Sequence, residues 1–374
     1  MNYKMMSNQI SKKIILTGGG TGGSVTPLLA ISEILGNIQY SIFNIQYLWI
    51  GTKTGIERQM AESAGIEYRA IFSGKLRRYW SWQNVVDIFK IKIAFFQSLF
   101  ILINEKPDLI ISAGSFVSVP LVWAAWILRI PVLIQQLDVR PGLANKLMAP
   151  FAKKVMVTFE KSLTDYGDKA VLVGNPIRKE FTSVKISKRE AMQKIGLRDN
   201  KPVVLVMGGG TGAGAINELV IKSIDSLTKV CQILHITGKG KAGLPMMRAM
   251  ETNIYYKYFE FLDVFGLIKN YSAADIIISR AGIGSLTELS YVAKPTIIIP
   301  MPDSHQEDNS AVFAKADAAI VLNQNELTGE ILLNNIKMIL NDEILRNRLK
   351  NNIKTVIKTD CEEKIVEIIS KLLS

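Results

Sequence analysis

Three glycine-rich turns stand where an apolar run gives way to a helical pattern. Gly18–Gly22 reads GGGTG after KIILT, and Gly208–Gly212 reads GGGTG after VVLVM. The third is SRAGIGSLTEL at 279–289, which follows DIIIS. Such a turn bares backbone N–H groups at the positive end of a helix, where phosphate or diphosphate can rest. Close packing of helix on strand accounts for one glycine per turn, but not for five consecutive small residues twice. In the third turn Glu288 follows Gly284 by four residues, one helical turn in and on the same face. A carboxylate there can accept both hydroxyls of a ribose whose phosphates sit on the helix end. The other reading of Glu288 is an acid favoured by the helix dipole.

Several chemistries are excluded. GxGxxG is met only loosely by Gly18–Gly23, and no acid ends the next strand to hold a nicotinamide ribose. The pattern GxxxxGK[ST] is absent at both GGGTG turns, which argues against a P-loop ATPase. Two cysteines, Cys231 and Cys361, cannot build a disulfide framework. With two histidines and no CxxC, a structural zinc site is not expected. The cell interior is the natural compartment.

The surrounding elements must hold these turns. YLWIG (47–51) precedes a helix ending at Gly65, and DLIIS, VLIQQ and VMVTF follow at helix-sized intervals. After Pro176 the pattern restarts with VVLVMG, CQILHITG, YKYFEFL, DIIIS and TIIIPM. Short Ile- and Val-rich runs separated by helices indicate α/β domains whose parallel sheets are covered on both faces. The repeated GGGTG predicts two Rossmann-like domains in tandem with a boundary near 175–200. From Leu332 onward the spacing of Ile, Leu and Lys predicts two or more helices.

The chain has 374 residues, 45 Lys+Arg against 33 Asp+Glu and a net charge of +12, which implies anionic partners. MNYKMMSNQISKK contains no apolar stretch long enough for a signal peptide. Leu109–Leu128 lacks charges, but its serines, glycine and proline predict a buried strand, a turn and a buried helix rather than a membrane span. Residues 75–103 carry Lys75, Arg77, Arg78, Lys90 and Lys92 against Asp87, with Tyr79, Trp80 and Trp82 among them. Aromatics beside cations suit a lipid headgroup layer. An ordinary helix pair with a solvated basic face fits the same residues. Nucleic acid as the partner rests on charge alone, with no helix-turn-helix, zinc finger or RNP-like run.

In order along the chain come GGGTGGSVTPLLAIS (18–32), SAGSFVSVP (112–120), PGLANKLMAPFA (141–152), VGNPIR (173–178), GGGTGA (208–213), SRAGIGSLTEL (279–289) and HQEDNSAVFA (305–314). This series resembles the MurG family of GT-B glycosyltransferases over nearly the whole chain. The resemblance implies two Rossmann-like domains with parallel sheets facing a central cleft. It divides the chain into an acceptor- and membrane-facing domain at 1–177, a donor domain at 178–350, and a C-terminal helix at 351–374 packing back on the first. It implies an inverting enzyme that moves N-acetylglucosamine from UDP-N-acetylglucosamine to the muramyl 4-hydroxyl of lipid I at the cytoplasmic face of the plasma membrane, bound peripherally. No cofactor and no metal are implied, and the chain has no DxD motif.

For the donor, the family motifs map onto Arg178, Gly209, Gly210, Thr211, Leu262 (backbone to uracil), Gly282, Ile283, Gly284, Ser285, Glu288, Asn309 and Ser310. For the acceptor diphosphate they map onto Gly20, Thr21, Gly22, Gly23, Gly114, Ser115, Phe116 and Asn145. The anionic bilayer would meet Arg77, Arg78, Tyr79, Trp80 and Trp82. Two family positions differ. Ser24 stands where a histidine is usual, and Gln135-Gln136-Leu137-Asp138 where His-Glu-Gln-Asn is usual. A serine at its ordinary pKa is a poor base at neutral pH. Asp138 is the nearest surviving carboxylate and the candidate base. It can equally cap the following turn, and base catalysis can be dispensable if the acceptor is well aligned. The changed residues leave two other readings, a related GT-B enzyme with another lipid-linked acceptor or a catalytically weakened sugar-nucleotide-binding homologue.

Overall fold

The computed structural model describes residues 10–20, 22–36, 43–74, 82–209 and 212–374, with side chains in the helix from Trp82 described at Asp87 and from Phe89 onward. Thr21, Arg77, Arg78, Tyr79, Trp80, Gly210 and Thr211 lie outside the described residues, as does the side chain of Trp82. The chain forms two compact units, Met1–Pro176 with Asp360–Ser374, and Ile177–Thr359.

The first unit alternates strand and helix: β1 (Ile10–Thr17), α1 (Gly22–Gly36), β2 (Phe43–Gly51), α2 (Ile56–Ser63), β3 (Glu67–Ala70), α3 (Trp82–Glu105), β4 (Leu109–Ser112), α4 (Ser118–Ile127), β5 (Val132–Gln136), α5 (Leu143–Met148), β6 (Lys154–Val157) and β7 (Ala170–Leu172). The strands pair in parallel in the order β3-β2-β1-β4-β5-β6-β7.

The second unit holds α6 (Lys179–Ser183), α7 (Lys188–Ile195), β8 (Val203–Met207), α8 (Gly214–Lys222), α9 (Ile224–Val230), β9 (Gln232–Ile236), α10 (Leu244–Thr252), β10 (Tyr256–Phe259), α11 (Val264–Ala273), β11 (Ile276–Ser279), α12 (Ile283–Val292), β12 (Thr296–Ile298), α13 (His305–Lys315), β13 (Ile320–Val321), α14 (Gly329–Asn341) and α15 (Glu343–Val356). Its sheet is parallel in the order β10-β9-β8-β11-β12-β13. The last helix, α16 (Glu362–Leu373), returns to the first unit and packs on α1.

Central strands are apolar throughout because both faces are covered. LIIS of β4, VVLVM of β8 and IIIS of β11 are buried at every position. Each unit has its own core, centred on Ile15, Ile50, Ile110 and Ile134 in the first and on Val204, Ile233, Ile278 and Ile297 in the second. Inside the second core His235 is fully buried, with Nδ1 3.0 Å from the Tyr256 hydroxyl and Nε2 3.0 Å from Asn217 Oδ1. Asn217 spends its amide N–H on Thr237 O, so Oδ1 accepts from a protonated Nε2 and Nδ1 accepts from Tyr256. Burial pulls this imidazole down to about 4.

Strand order reverses once in each sheet, between β1 and β4 and between β8 and β11. Ligands of doubly wound sheets bind outside the carboxyl ends of the strands at this reversal. Loops 18–20 and 113–117 leave β1 and β4, and loops 208–213 and 280–282 leave β8 and β11. The glycine turns therefore flank the expected ligand position in both units.

Candidate functional site

In the second unit β8 runs into Gly208 and Gly209, the latter at φ +75°. A Cβ at Gly208 would lie 2.2 Å from the Ala213 nitrogen, and one at Gly212 would lie 2.3 Å from Thr237 O, so this turn admits only glycine there. Across the strand reversal, α12 starts on Gly282 with no side-chain cap. Its first N–H groups, around Ile283, Gly284 and Ser285, are left for water or a ligand. A Cβ at Gly282 or Gly284 would meet nothing within 4 Å. Packing does not require these two glycines, and open room lies beside the positive helix end.

Glu288 sits one turn further along α12. Its Oε1 accepts from Arg178 Nη2 at 2.6 Å and its Oε2 from the Tyr271 hydroxyl at 2.9 Å. Burial lifts the carboxyl above its ordinary range, against the opposing pull of Arg178 and Tyr271. The Arg178 guanidinium also lies over the Phe181 ring, 5.3 Å from its centre, and its Nε has no partner. Phe181 in turn packs on Tyr271 and Tyr291. An aromatic shelf thus holds both members of the ion pair. Half-buried Leu262 enters α11, whose first turn is capped by Asp263 accepting from Gly266 N at 2.7 Å.

The turn before α12 is clasped from α13. Gln306 Oε1 accepts from Ala281 N at 3.2 Å, and Asn309 Nδ2 donates to Ala281 O at 3.2 Å. Arg280 is buried and donates to the carbonyls of Ile299 and Pro300. Asn309 and Ser310, which the resemblance places near the donor's phosphate and sugar, are both buried. Asn309 is wholly buried on Ala281 O, and the Ser310 hydroxyl donates back to Glu307 O at 2.9 Å. Both are braces.

In the first unit Gly20 takes φ +85°. Trp49 Nε1 donates to Gly18 O at 3.2 Å, Ser24 Oγ donates to Gly19 O at 3.1 Å, and Gly20 N donates to Glu57 Oε2 at 3.1 Å. Ser24, the first candidate catalytic position, thus has its hydroxyl turned onto its own loop. Gly22 and Gly23 open α1 half-buried.

The second loop lies beside the first: a Cβ on Gly20 would be 3.8 Å from the Phe116 ring. Gly114 takes φ +82°, and a Cβ there would lie 2.6 Å from Asn145 Oδ1. Asn145 donates to Gln136 Oε1 at 2.6 Å, which also accepts from the Tyr166 hydroxyl at 2.7 Å. Gln136 Nε2 donates to Asp138 O at 2.6 Å, and Gln135 Nε2 to Gly174 O at 3.1 Å. Ser115 Oγ, Gln135 Oε1 and Asn145 Oδ1 are buried without hydrogen-bond partners. Such atoms are costly unless a ligand or water meets them. Asp138 follows β5 and is partly exposed.

Tyr271, Tyr166 and Glu57 were not singled out from the sequence. Each meets its partner through the fold, and none lies in a local pattern that marks it. The sequence also gave no sign of how much of α3 faces outward. Phe89, Ile93, Phe96, Phe100 and Ile103 recur every three or four residues and are all exposed, Phe96 and Phe100 by 67% and 71%. The helix read from VPLVWAAWIL, α4, packs against α3 and is buried as expected except in its last turn, where Trp126 and Ile127 are exposed. Among the described residues no helix is long and apolar enough to cross a membrane.

Residues 14–157 match the glycosyltransferase family 28 N-terminal domain, and residues 203–365 match the glycosyltransferase family 28 C-terminal domain. A protein of Clostridium kluyveri is 40% identical over 365 residues, covering 96% of this chain and 99% of its own. One from Clostridium botulinum strain Hall is 39% identical over 367 residues, with coverage of 96% and 99%. Both are named UDP-N-acetylglucosamine–N-acetylmuramyl-(pentapeptide) pyrophosphoryl-undecaprenol N-acetylglucosamine transferase. The crystal structure of Acinetobacter baumannii MurG superposes with a TM-score of 0.76 at 25% identity, over 96% of this chain and 99% of that one.

Proposed function

Because the chain belongs to glycosyltransferase family 28, we propose that it moves N-acetylglucosamine from UDP-N-acetylglucosamine to the 4-hydroxyl of a muramyl-pentapeptide carried on undecaprenyl diphosphate. The observation that carries this reading is Glu288, a paired carboxylate one turn inside a helix whose N-terminus is uncapped and open. In the proposal the ribose hydroxyls donate to Glu288, uracil meets the Leu262 backbone, and the diphosphate rests on the amides of 282–285 and on the 208–212 turn. Arg178, released from Glu288, turns its donors to phosphate.

The acceptor's diphosphate lies on the first glycine loop and the start of α1, with Ser115 and Asn145 meeting its sugar or phosphate oxygens. The muramyl oxygen forms a bond to the anomeric carbon from the face opposite the departing phosphate. UDP leaves with the electron pair of the broken C–O bond. The hydroxyl proton passes to the Asp138 carboxylate. Charge growing on UDP is met by helix-end dipoles and Arg178, fixed before the reaction begins.

The membrane enters through α3. Its exposed Phe and Ile stripe, with Trp126 and Ile127, offers apolar side chains to the lipid boundary, while Lys90, Lys92 and the cations at 75–78 meet anionic headgroups. This supports peripheral attachment to a membrane, and the proposal takes the surface to be the cytoplasmic face.

A crystal structure with UDP tests the donor half. The ribose hydroxyls are expected within hydrogen-bond distance of Glu288 and the phosphates at the start of α12. A nucleotide bound elsewhere, or none at saturating UDP, would sink the reading.

A further inference from the structure

Glu57 is the second residue of α2 and is wholly buried. Its Oε1 accepts from Thr52 N at 2.9 Å and from Thr52 Oγ1 at 2.5 Å, and its Oε2 accepts from Gly20 N at 3.1 Å. Three glycines make room for it. A Cβ at Gly55 would lie 2.0 Å from its Oε2, one at Gly19 2.5 Å from its Cδ, and one at Gly51 2.9 Å from its Cγ. Burial pushes this carboxyl up, but the Thr52 and Gly20 hydrogen bonds outweigh it and hold the group below its ordinary range. It is therefore an anion at neutral pH, held by neutral donors.

A buried carboxylate is costly to keep, and an apolar side chain would serve packing better. What this one gains is a grip on one particular amide. Gly20 stands in the left-handed region, in the middle of GGGTGG. With Gly20 N–H drawn inward onto Glu57, and the carbonyls of Gly18 and Gly19 taken by Trp49 and Ser24, the loop's backbone is pinned on its inner side. In the proposed reading the acceptor's diphosphate sits on the other side of this loop, at the start of α1.

We propose that Glu57 is a positioning residue for the acceptor's diphosphate: it locks the first glycine loop through Gly20 and so fixes where the outward amides point. This rests on the reading of that loop as the diphosphate site. A glutamine at 57 has one acceptor oxygen, and its NH2 would face either the Gly20 or the Thr52 donor.

The test compares wild type, Glu57→Gln and Thr52→Val. Thr52→Val removes a hydrogen bond from the same carboxylate but leaves the Gly20 contact. In transfer assays Glu57→Gln should raise the acceptor KM about tenfold and leave the UDP-N-acetylglucosamine KM within about twofold. Thr52→Val should leave both KM values near wild type at a similar loss of stability. In hydrogen exchange, geranyl diphosphate should protect the first glycine loop in wild type and Thr52→Val but not in Glu57→Gln. An unchanged acceptor KM in Glu57→Gln, or a rise of equal size in Thr52→Val, would overturn the inference. So would protection of the loop in all three proteins, or in none. If wild type transfers no sugar yet its loop is protected and that of Glu57→Gln is not, the transferase reading fails and the role of Glu57 stands.

Discussion

Glu288 must remain ionised to accept two hydroxyls, although burial opposes it. Arg178 and Tyr271 supply the compensation, and the Tyr271 hydroxyl is the member that no ligand would displace. Glu288→Gln should cost about 3 kcal/mol of donor binding, roughly a hundredfold in kcat/KM for UDP-N-acetylglucosamine. Tyr271→Phe removes an interaction that lowers the Glu288 pKa, so that pKa rises further. The acid limb of the donor kcat/KM profile should then move to higher pH. A profile that stays put would show that Tyr271 only fills space. Across the reaction, Ser24→Ala should keep kcat within a few-fold, since its hydroxyl is spent on Gly19 O, whereas Asp138→Asn should lower kcat about a hundredfold or more. Equal losses in the two variants would contradict this division of roles. The carboxylates themselves show why sequence reading stops short. Glu57 reads as an ordinary first-turn acid, yet its carboxylate serves an amide 37 positions earlier. Tyr271 reads as a core aromatic. Asn309 is named only through the family resemblance, and nothing in its neighbourhood announces the bond from its amide to Ala281, 28 positions away.

Single helices do distinct work here. On α13, Gln306 and Asn309 are three residues apart, so they lie on one face and close on both sides of the Ala281 peptide. The turn that starts α12 is therefore rigid before any ligand arrives. On α3 the inner face carries Ala94, Ser98 and Leu102 into the core, while the outer face carries the Phe and Ile stripe. The sequence leaves residues 75–103 open between a headgroup-facing segment and a helix pair with a solvated basic face, and composition alone does not say that an apolar side is left uncovered. Burying each phenylalanine in lipid is worth about 2 kcal/mol. Phe96→Ser with Phe100→Ser should weaken binding to anionic vesicles roughly a hundredfold or more, with the urea midpoint nearly unchanged because neither ring is in the core. Unchanged co-sedimentation would show that the stripe has another use. The edge strands were the least legible elements. EYRA of β3 and AVL of β7 are short and half-exposed, so they lack the unbroken apolar run that marks β4, β8 and β11.

Across the molecule, two doubly wound units repeat one device, a glycine turn on each side of a strand reversal. That plan was readable because buried parallel strands must be apolar end to end and because the phosphate turns need consecutive glycines. The charge is uneven as well. Residues 1–177 hold 19 cations and 11 acids, so most of the net +12 falls in the part that carries α3 and the proposed acceptor loops. Stability should depend on pH through His235. Its folded pKa of about 4 lies below the ordinary 6.5, so the unfolded chain takes up the proton first as pH falls. Stability should be full above about 6.5 and fall by roughly 3 kcal/mol towards pH 4 from this residue alone. Urea unfolding of wild type and His235→Gln across that range should show the smaller slope in the variant; equal slopes would place the effect elsewhere. The central claim is the transfer itself. Purified protein incubated with labelled UDP-N-acetylglucosamine and an undecaprenyl-diphosphate muramyl-pentapeptide should move label into a disaccharide lipid, and Glu288→Gln should move very little. Label that stays on the nucleotide with wild type, or equal transfer by both proteins, would contradict the account.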